Sequence, residues 1–264
     1  MPTQEISSPI SSLYTPVDIE SIKKKLQELT TTNKRQNLIW RPPVGETLVR
    51  IVPYRHGKTP FNELLFHFEI GNRKQVTCAA NFAKSCPICD FAEELRKKRT
   101  KEDFQAFKKI AAKIRTYIPV IIRGREEEGV KFWGISKEVY ETLLNFFNNP
   151  EYGDITHPTE GIDITVKFTG PNDKLKYGKS EVFPRRNSSP LHKDRDMIIK
   201  ILKDVPNVFE IFPEISFEEL KRTLDSALNP SEGTTSEVTN VEVNTQEEPV
   251  KNLDKEFDDL FKTS

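Results

Sequence analysis

The stretch HFEIGNRKQVTCAANFAKSCPICD, residues 67 to 90, holds every cysteine of the chain, Cys78, Cys86 and Cys89, and one of its four histidines, His67. CPIC is a C-x-x-C knuckle, a spacing that brings two thiolates to one ion at about 2.3 Å from each sulfur. Two further soft donors complete a tetrahedron, and Cys78 and His67 are the nearest. A Cys3His set fills all four positions, so the pattern predicts one structural Zn2+ that pins a strand, a loop and a helix start together. Three cysteines cannot all pair with one another, and in a reducing cytoplasm clustered cysteines usually mean metal or redox chemistry. A redox dithiol is the plainer alternative, but it leaves Cys78 without a purpose and normally opens a helix after a thioredoxin-type strand.

An enzymatic reading of the same residues exists. His67-Phe68-Glu69 followed by Cys86-Pro87-Ile88-Cys89 is similar to the H-x-E…P-C-x-x-C pattern of zinc deaminases. Two details oppose it: the proline lies inside the knuckle, and Cys78 would take the position that a catalytic water needs. Glu69 also sits in an alternating strand pattern instead of at the start of a helix. No G-x-x-x-x-G-K-[ST] loop is present, which argues against a helicase.

Cationic and aromatic residues recur together elsewhere. Lys113, Arg115 and Tyr117 open the run KIRTYIPVIIR, which closes on Arg123; Lys131 and Trp133 flank Phe132 in KFW. KLKYGKSEVFPRR adds Lys174, Lys176, Tyr177, Lys179, Phe183, Arg185 and Arg186. Single-stranded nucleic acid calls for this mixture, with cations tracking phosphates and rings on which unstacked bases lie, worth about 1–3 kcal/mol per base. Aromatics are more often core. Phe132 is expected to be core, whereas Trp133 and Tyr177, with polar or small neighbours, are expected at the surface.

Positioning these residues requires the following elements. Residues 1–16 are rich in Ser, Pro and Thr and are expected to be disordered. VDIESIKKKLQELT places Ile19, Ile22, Leu26 and Leu29 at helical spacing behind Asp18 as N-cap, and residues 30–35 read as a polar linker. Strands are predicted over 46–54, 63–70, 115–124, 130–136 and 162–169. Helices are predicted over 90–98, 100–114, 136–149 and 216–229, with capping-box spacing at Thr100/Asp103 and Ser216/Glu219. About five or six strands with helices between them give an α+β, mainly β fold that permits a small barrel.

Charge is unevenly distributed. The net charge is zero over 264 residues, but residues 229–264 carry nine acidic against three basic groups. Residues 1–36 carry a net +1, leaving +5 for residues 37–228. A basic centre with an acidic tail suits a nucleic-acid binder whose tail competes for its own groove. Within the tail, Leu253, Phe257, Asp258, Asp259, Leu260 and Phe261 form an acidic amphipathic segment of the kind that folds on a basic partner, although a solubilising tail is the equal alternative. No apolar run approaches the roughly 20 residues of a membrane span, and the N-terminus lacks the basic start and apolar stretch of a secretory signal.

LVRIVP, TPFNELLFHFEI, the His-Cys-Cys-Cys set ending in SCPIC, RTYIPVIIRG, GVKFWGISKEVYETL, ITVKF with KYGKSEVF, and SFEEL resemble the single-stranded DNA-binding proteins of T-even-type bacteriophages. The likeness covers roughly residues 37–228, and the zinc spacing is its most specific part. The resemblance implies an OB-like barrel with an inserted structural zinc subdomain at about 63–113, flanking helices and disordered termini. It implies a non-catalytic, sequence-tolerant, cooperative binder of single-stranded DNA in phage replication, recombination and repair, acting in the cytoplasm of the infected bacterial host. His67, Cys78, Cys86 and Cys89 become the zinc ligands by position, and Arg115, Tyr117, Trp133 and Tyr177 become base or phosphate contacts. Residues 1–36 become a self-association arm with Lys23, Lys24, Lys25, Lys34 and Arg35 as candidates, and residues 229–264 a tail that recruits replication and recombination proteins. An RNA-binding zinc protein is the alternative.

Overall fold

Eight strands form one mixed sheet in the computed structural model, which describes residues 18–173 and 177–229. In chain order they are β1 (Ile39–Trp40), β2 (Gly45–Ile51), β3 (Asn62–Ile70), β4 (Arg73–Thr77), β5 (Lys113–Ile122), β6 (Lys131–Ile135), β7 (Ile162–Thr169) and β8 (Lys179–Ser188). The spatial order is β1-β6-β5-β2-β7-β8, with β3 pairing both β5 and β4. Every pairing is antiparallel except β1 with β6.

β5 is the hub. One of its edges takes β3 along Lys113–Tyr117 and then β2 along Val120–Ile122, while its other edge takes β6 along Thr116–Val120. Successive side chains of a strand point to opposite faces, and here both faces are covered. Ile118, Val120 and Ile122 join Val49, Trp133 and Val166 in one cluster, together with Val139 and Leu143 of the helix at Lys137–Asn148. Tyr117 and Ile121 join Phe66, Phe132 and Leu191 in another.

Among the described residues there are seven α-helices: α1 (Ile19–Asn37), α2 (Pro87–Lys98), α3 (Lys101–Ile110), α4 (Lys137–Asn148), α5 (Arg195–Lys203), α6 (Val208–Ile211) and α7 (Phe217–Leu228). Their starts follow the sequence. Thr100, Ser136 and Ser216 each accept a hydrogen bond from the backbone N–H three residues on, which satisfies one of the orphan donors of a first turn. Asp18 does the same for α1, accepting from the N–H groups of Glu20 and Ser21 at 3.0 and 3.2 Å.

The class is α+β, as the pattern predicts, but several elements differ from the expectation. The linker expected at 30–35 belongs to α1, in which Thr30 Oγ1 donates to Leu26 O at 2.8 Å. β8 is absent from the predicted strands, because an edge strand with one solvated face and four charged residues carries little apolar signal. β4, α5 and α6 were not anticipated, and eight strands replace the five or six expected. The expectations for residues 1–16 and for the tail 229–264 fall, apart from Asn229, outside the described residues.

Arg50 of β2 is fully buried and acts as a clasp for the segment leading into β7. Its guanidinium donates to the carbonyls of Ile155 and His157, each at 2.6 Å, and to that of Ile162. Among the described residues its Nε has no hydrogen-bond partner, and it lies 4.0 Å from Asp163 Oδ1. Burial pulls its pKa down to about 10, with Asp163 resisting. A Cβ at Gly161 would stand 2.2 Å from Arg50 Nη2, so glycine is required there for the guanidinium to pass.

Candidate metal centre and nucleic-acid interface

The four soft donors converge from three elements. β3 presents His67, the chain leaving β4 presents Cys78, Cys86 is the N-cap of α2, and Cys89 lies in its first turn. Pro87 at the first helical position is compatible with helix entry, since its missing N–H would have no partner there. His67 Nε2 stands 3.4 Å from Cys86 Sγ and 3.6 Å from Cys89 Sγ, and Cys78 Sγ is 3.5 Å from Cys89 Sγ. All four donor atoms lie within 4.8 Å of one another. With zinc bonds of about 2.3 Å to sulfur and 2.0 Å to nitrogen, tetrahedral edges come to roughly 3.5–3.8 Å. The donor set and its spacing are therefore compatible with one zinc.

Surrounding groups hold the donors in place. Ile110 O accepts from His67 Nδ1 at 2.8 Å, which leaves Nε2 turned toward the sulfurs. Asn81 ties the 3-10 turn Ala79–Phe82 to β3: its Oδ1 accepts from Leu65 N, and its Nδ2 donates to Leu65 O and Cys78 O. Burial opposes charge on His67, yet its contacts with Cys78, Cys86 and Ile110 O carry its pKa up to about 10. Hydrogen bonds with Cys78 and Cys89 hold the Cys86 thiol far down, and the same cluster pushes Cys89 up. One divalent ion bound there would replace that proton sharing with a neutral imidazole and three thiolates. Beneath it, Ile70, Val76, Ile88, Leu220 and Leu224 form a third apolar cluster, so α7 closes this lobe from the far end of the described chain.

Beside the metal cluster, a cleft of about 400 Å³ runs between β1, β4, β5 and β6. Trp40, Arg41, Gln75, Arg115, Tyr117, Trp133 and Phe212 line it. Trp40 and Trp133 meet edge to face at 5.5 Å, and Tyr117 and Phe212 lie 4.7 Å apart. Tyr117 lies over Gly134, its cross-strand partner, where a Cβ would approach the ring to 3.1 Å. The Arg115 guanidinium lies 5.0 Å from the centre of the Phe68 ring, a cation–π contact. A second hollow of about 290 Å³ adjoins the cleft and shares Arg115, Ile135 and Ser136 with it.

The residues expected to touch nucleic acid separate into five groups. Lys113 and Arg115 are exposed at the start of β5. Tyr177, Lys179, Phe183, Arg185 and Arg186 are exposed on or next to β8, with Tyr177 80% and Phe183 51% accessible. Trp133 corrects the expectation of a surface ring: it is 2% exposed, because α4 and the β2–β7 strands cover its face of the sheet. Tyr117 is also buried, and burial raises its pKa; both rings nevertheless contribute to the cleft wall. Arg123 and Lys131 are withdrawn from solvent. Arg123 donates to Asp163 at 2.8 Å and to Leu191 O and Pro190 O, while Lys131 donates to Asn37 O at 2.6 Å. Lys174 and Lys176 lie outside the described residues, as do Leu253, Phe257, Asp258, Asp259, Leu260 and Phe261. In α1, Lys23, Lys24 and Lys25 are exposed and Arg35 half-buried; Lys34 lies in the same helix.

Residues 44–229 match the model of the family described as gp32 DNA binding protein like. The chain belongs to the gp32-like family. Among curated proteins, none matches it. The matched span of this gp32-like chain holds all four soft donors, β5, and the hairpin of β7 and β8. Arg41, Gln75, Phe212, Glu63 and Tyr140 line the cleft or its adjoining hollow without having been anticipated. Arg41 carried a signal, since IWR places a cation beside a tryptophan much as KFW does. Phe212 and Gln75 carried none; they reach the cleft only through the fold. Among the described residues, no helix is long and apolar enough to cross a membrane.

Proposed function

We propose that this gp32-like chain is a non-catalytic protein that binds single-stranded DNA with little sequence preference and uses its zinc as a structural clamp. One observation carries the reading. The matched domain and the residues just before it form a cleft whose walls are aromatic and whose lining includes Arg41 and Arg115 and no acid, and Lys113 is exposed two residues before Arg115 on β5. Cations at a groove edge hold phosphates, and ring walls accept unstacked bases. A rigid duplex cannot offer its bases to such walls. Four protein donors fill the zinc tetrahedron, which supports a clamp over a deaminase, and Glu69 is exposed on a strand at φ 55°.

The wider role proposed is that of the resembling phage proteins: cooperative coating of strands during replication, recombination and repair in an infected bacterial cytoplasm. Residues 1–36 would serve as the self-association arm, 37–228 as the binding core with its zinc subdomain at 63–113, and 229–264 as the recruiting tail. A competition assay tests the reading. Fluorescence anisotropy of a labelled dT oligomer should rise on adding protein, and unlabelled single strands should displace the label far better than equal amounts of duplex. Equal competition by duplex would overturn it. Better competition by RNA of the same length would favour an RNA-binding zinc protein instead.

A further inference from the structure

Among the lining residues of the two adjoining hollows, Glu63 is the sole acid. A carboxylate in a groove meant for phosphates would repel the strand, unless that part of the groove receives bases. Glu63 sits on β3 opposite Thr116 of β5, with its side chain exposed to the hollow. Tyr140 of α4 donates its hydroxyl to Glu63 Oε1 at 2.7 Å, fixing the carboxylate in one orientation. Tyr140 is in turn held by Phe61, whose ring lies 4.8 Å away. Ile114, 58% exposed, offers apolar surface in the same hollow, and Arg115 and Lys137 supply hydrogen-bond donors.

These groups present a complementary edge: one oriented acceptor, flanked by cationic donors, next to apolar surface. We propose that the Glu63–Tyr140 pair is a base-reading element that favours a base bearing an exocyclic amino group, cytosine over thymine, in the strand bound to the cleft. Cytosine offers N4–H2 to a carboxylate and keeps O2 and N3 as acceptors for Arg115 or Lys137. Thymine places the O4 lone pairs where cytosine has that donor, so Glu63 faces an acceptor and gains no hydrogen bond from the base. The proposal rests on the single-strand reading above and adds to it the side of the groove on which bases lie.

Affinities of the full chain for dC and dT oligomers of equal length, measured at one salt concentration, test it. The wild type should bind dC roughly three- to tenfold more tightly than dT, the range of one net hydrogen bond. Glu63→Gln, whose amide can either donate or accept, should bring that ratio close to one and strengthen dT binding, because a negative charge has gone. Tyr140→Phe should reduce the ratio while leaving the charge in place, and it serves as the second variant should Glu63→Gln fold poorly. The dependence on salt should be the same for dC and dT, since their phosphates are identical. Tight binding of both oligomers with a ratio near one in the wild type, or a ratio unmoved by both substitutions, would overturn the inference and leave single-strand binding standing. Failure to bind either oligomer would overturn both.

Discussion

At the scale of single residues, the metal centre was legible and its support was not. C-x-x-C spacing and the absence of any competing cysteine were enough to pick out His67, Cys78, Cys86 and Cys89, and the donors do converge. Asn81 and the Ile110 carbonyl, which orient Cys78 and His67, left no trace in the sequence because backbone contacts do not depend on a recognisable residue pattern. Trp133 shows the opposite failure. Small and polar neighbours in sequence suggested a surface ring, but Phe132 and Trp133 point to opposite faces and both faces are covered. Replacing Cys86 with Ser removes one thiolate from a set of four. Zinc content should fall below one per chain and the melting temperature should drop by about 10 °C, as expected for a loss on the order of 3 kcal/mol in a domain of this size. Melting unchanged alongside loss of zinc would show that the metal does not hold the lobe together.

At the scale of elements, strands buried on both faces were easy to find and edge strands were not. β5 and β7 alternate or run apolar because cores lie against them, whereas β8 carries Lys179, Glu181, Arg185 and Arg186 and pairs only with β7. The pairing of the zinc lobe with α7 was likewise hidden, since the two lie far apart in sequence. Gly71 is where they meet. It turns the β3–β4 hairpin at φ +57°, and a Cβ there would stand 2.6 Å from Ser226 Oγ and 3.2 Å from Thr223 O in α7. Gly71→Ala therefore meets both a left-handed backbone and a helix, at a cost of about 1–3 kcal/mol. Chemical denaturation should report that loss with the zinc still bound. Wild-type stability in the variant would mean that α7 packs less tightly on the hairpin than described.

At the scale of the whole molecule, zero net charge gave no hint of a groove; its distribution did. The surplus of positive charge falls in residues 37–228, and its exposed members include Arg115, which lines the cleft, and Lys113, two residues before it on β5. The central claim is that these cations hold the phosphates of a single strand. The most direct test is the slope of log affinity against log salt for a dT oligomer, compared between the wild type and the double variant Lys113→Ala, Arg115→Ala. Each phosphate contact removed from a single strand should flatten the slope by about 0.7, so the variant should be flatter by about 1.4 and weaker at low salt. A slope identical to the wild type would contradict the account.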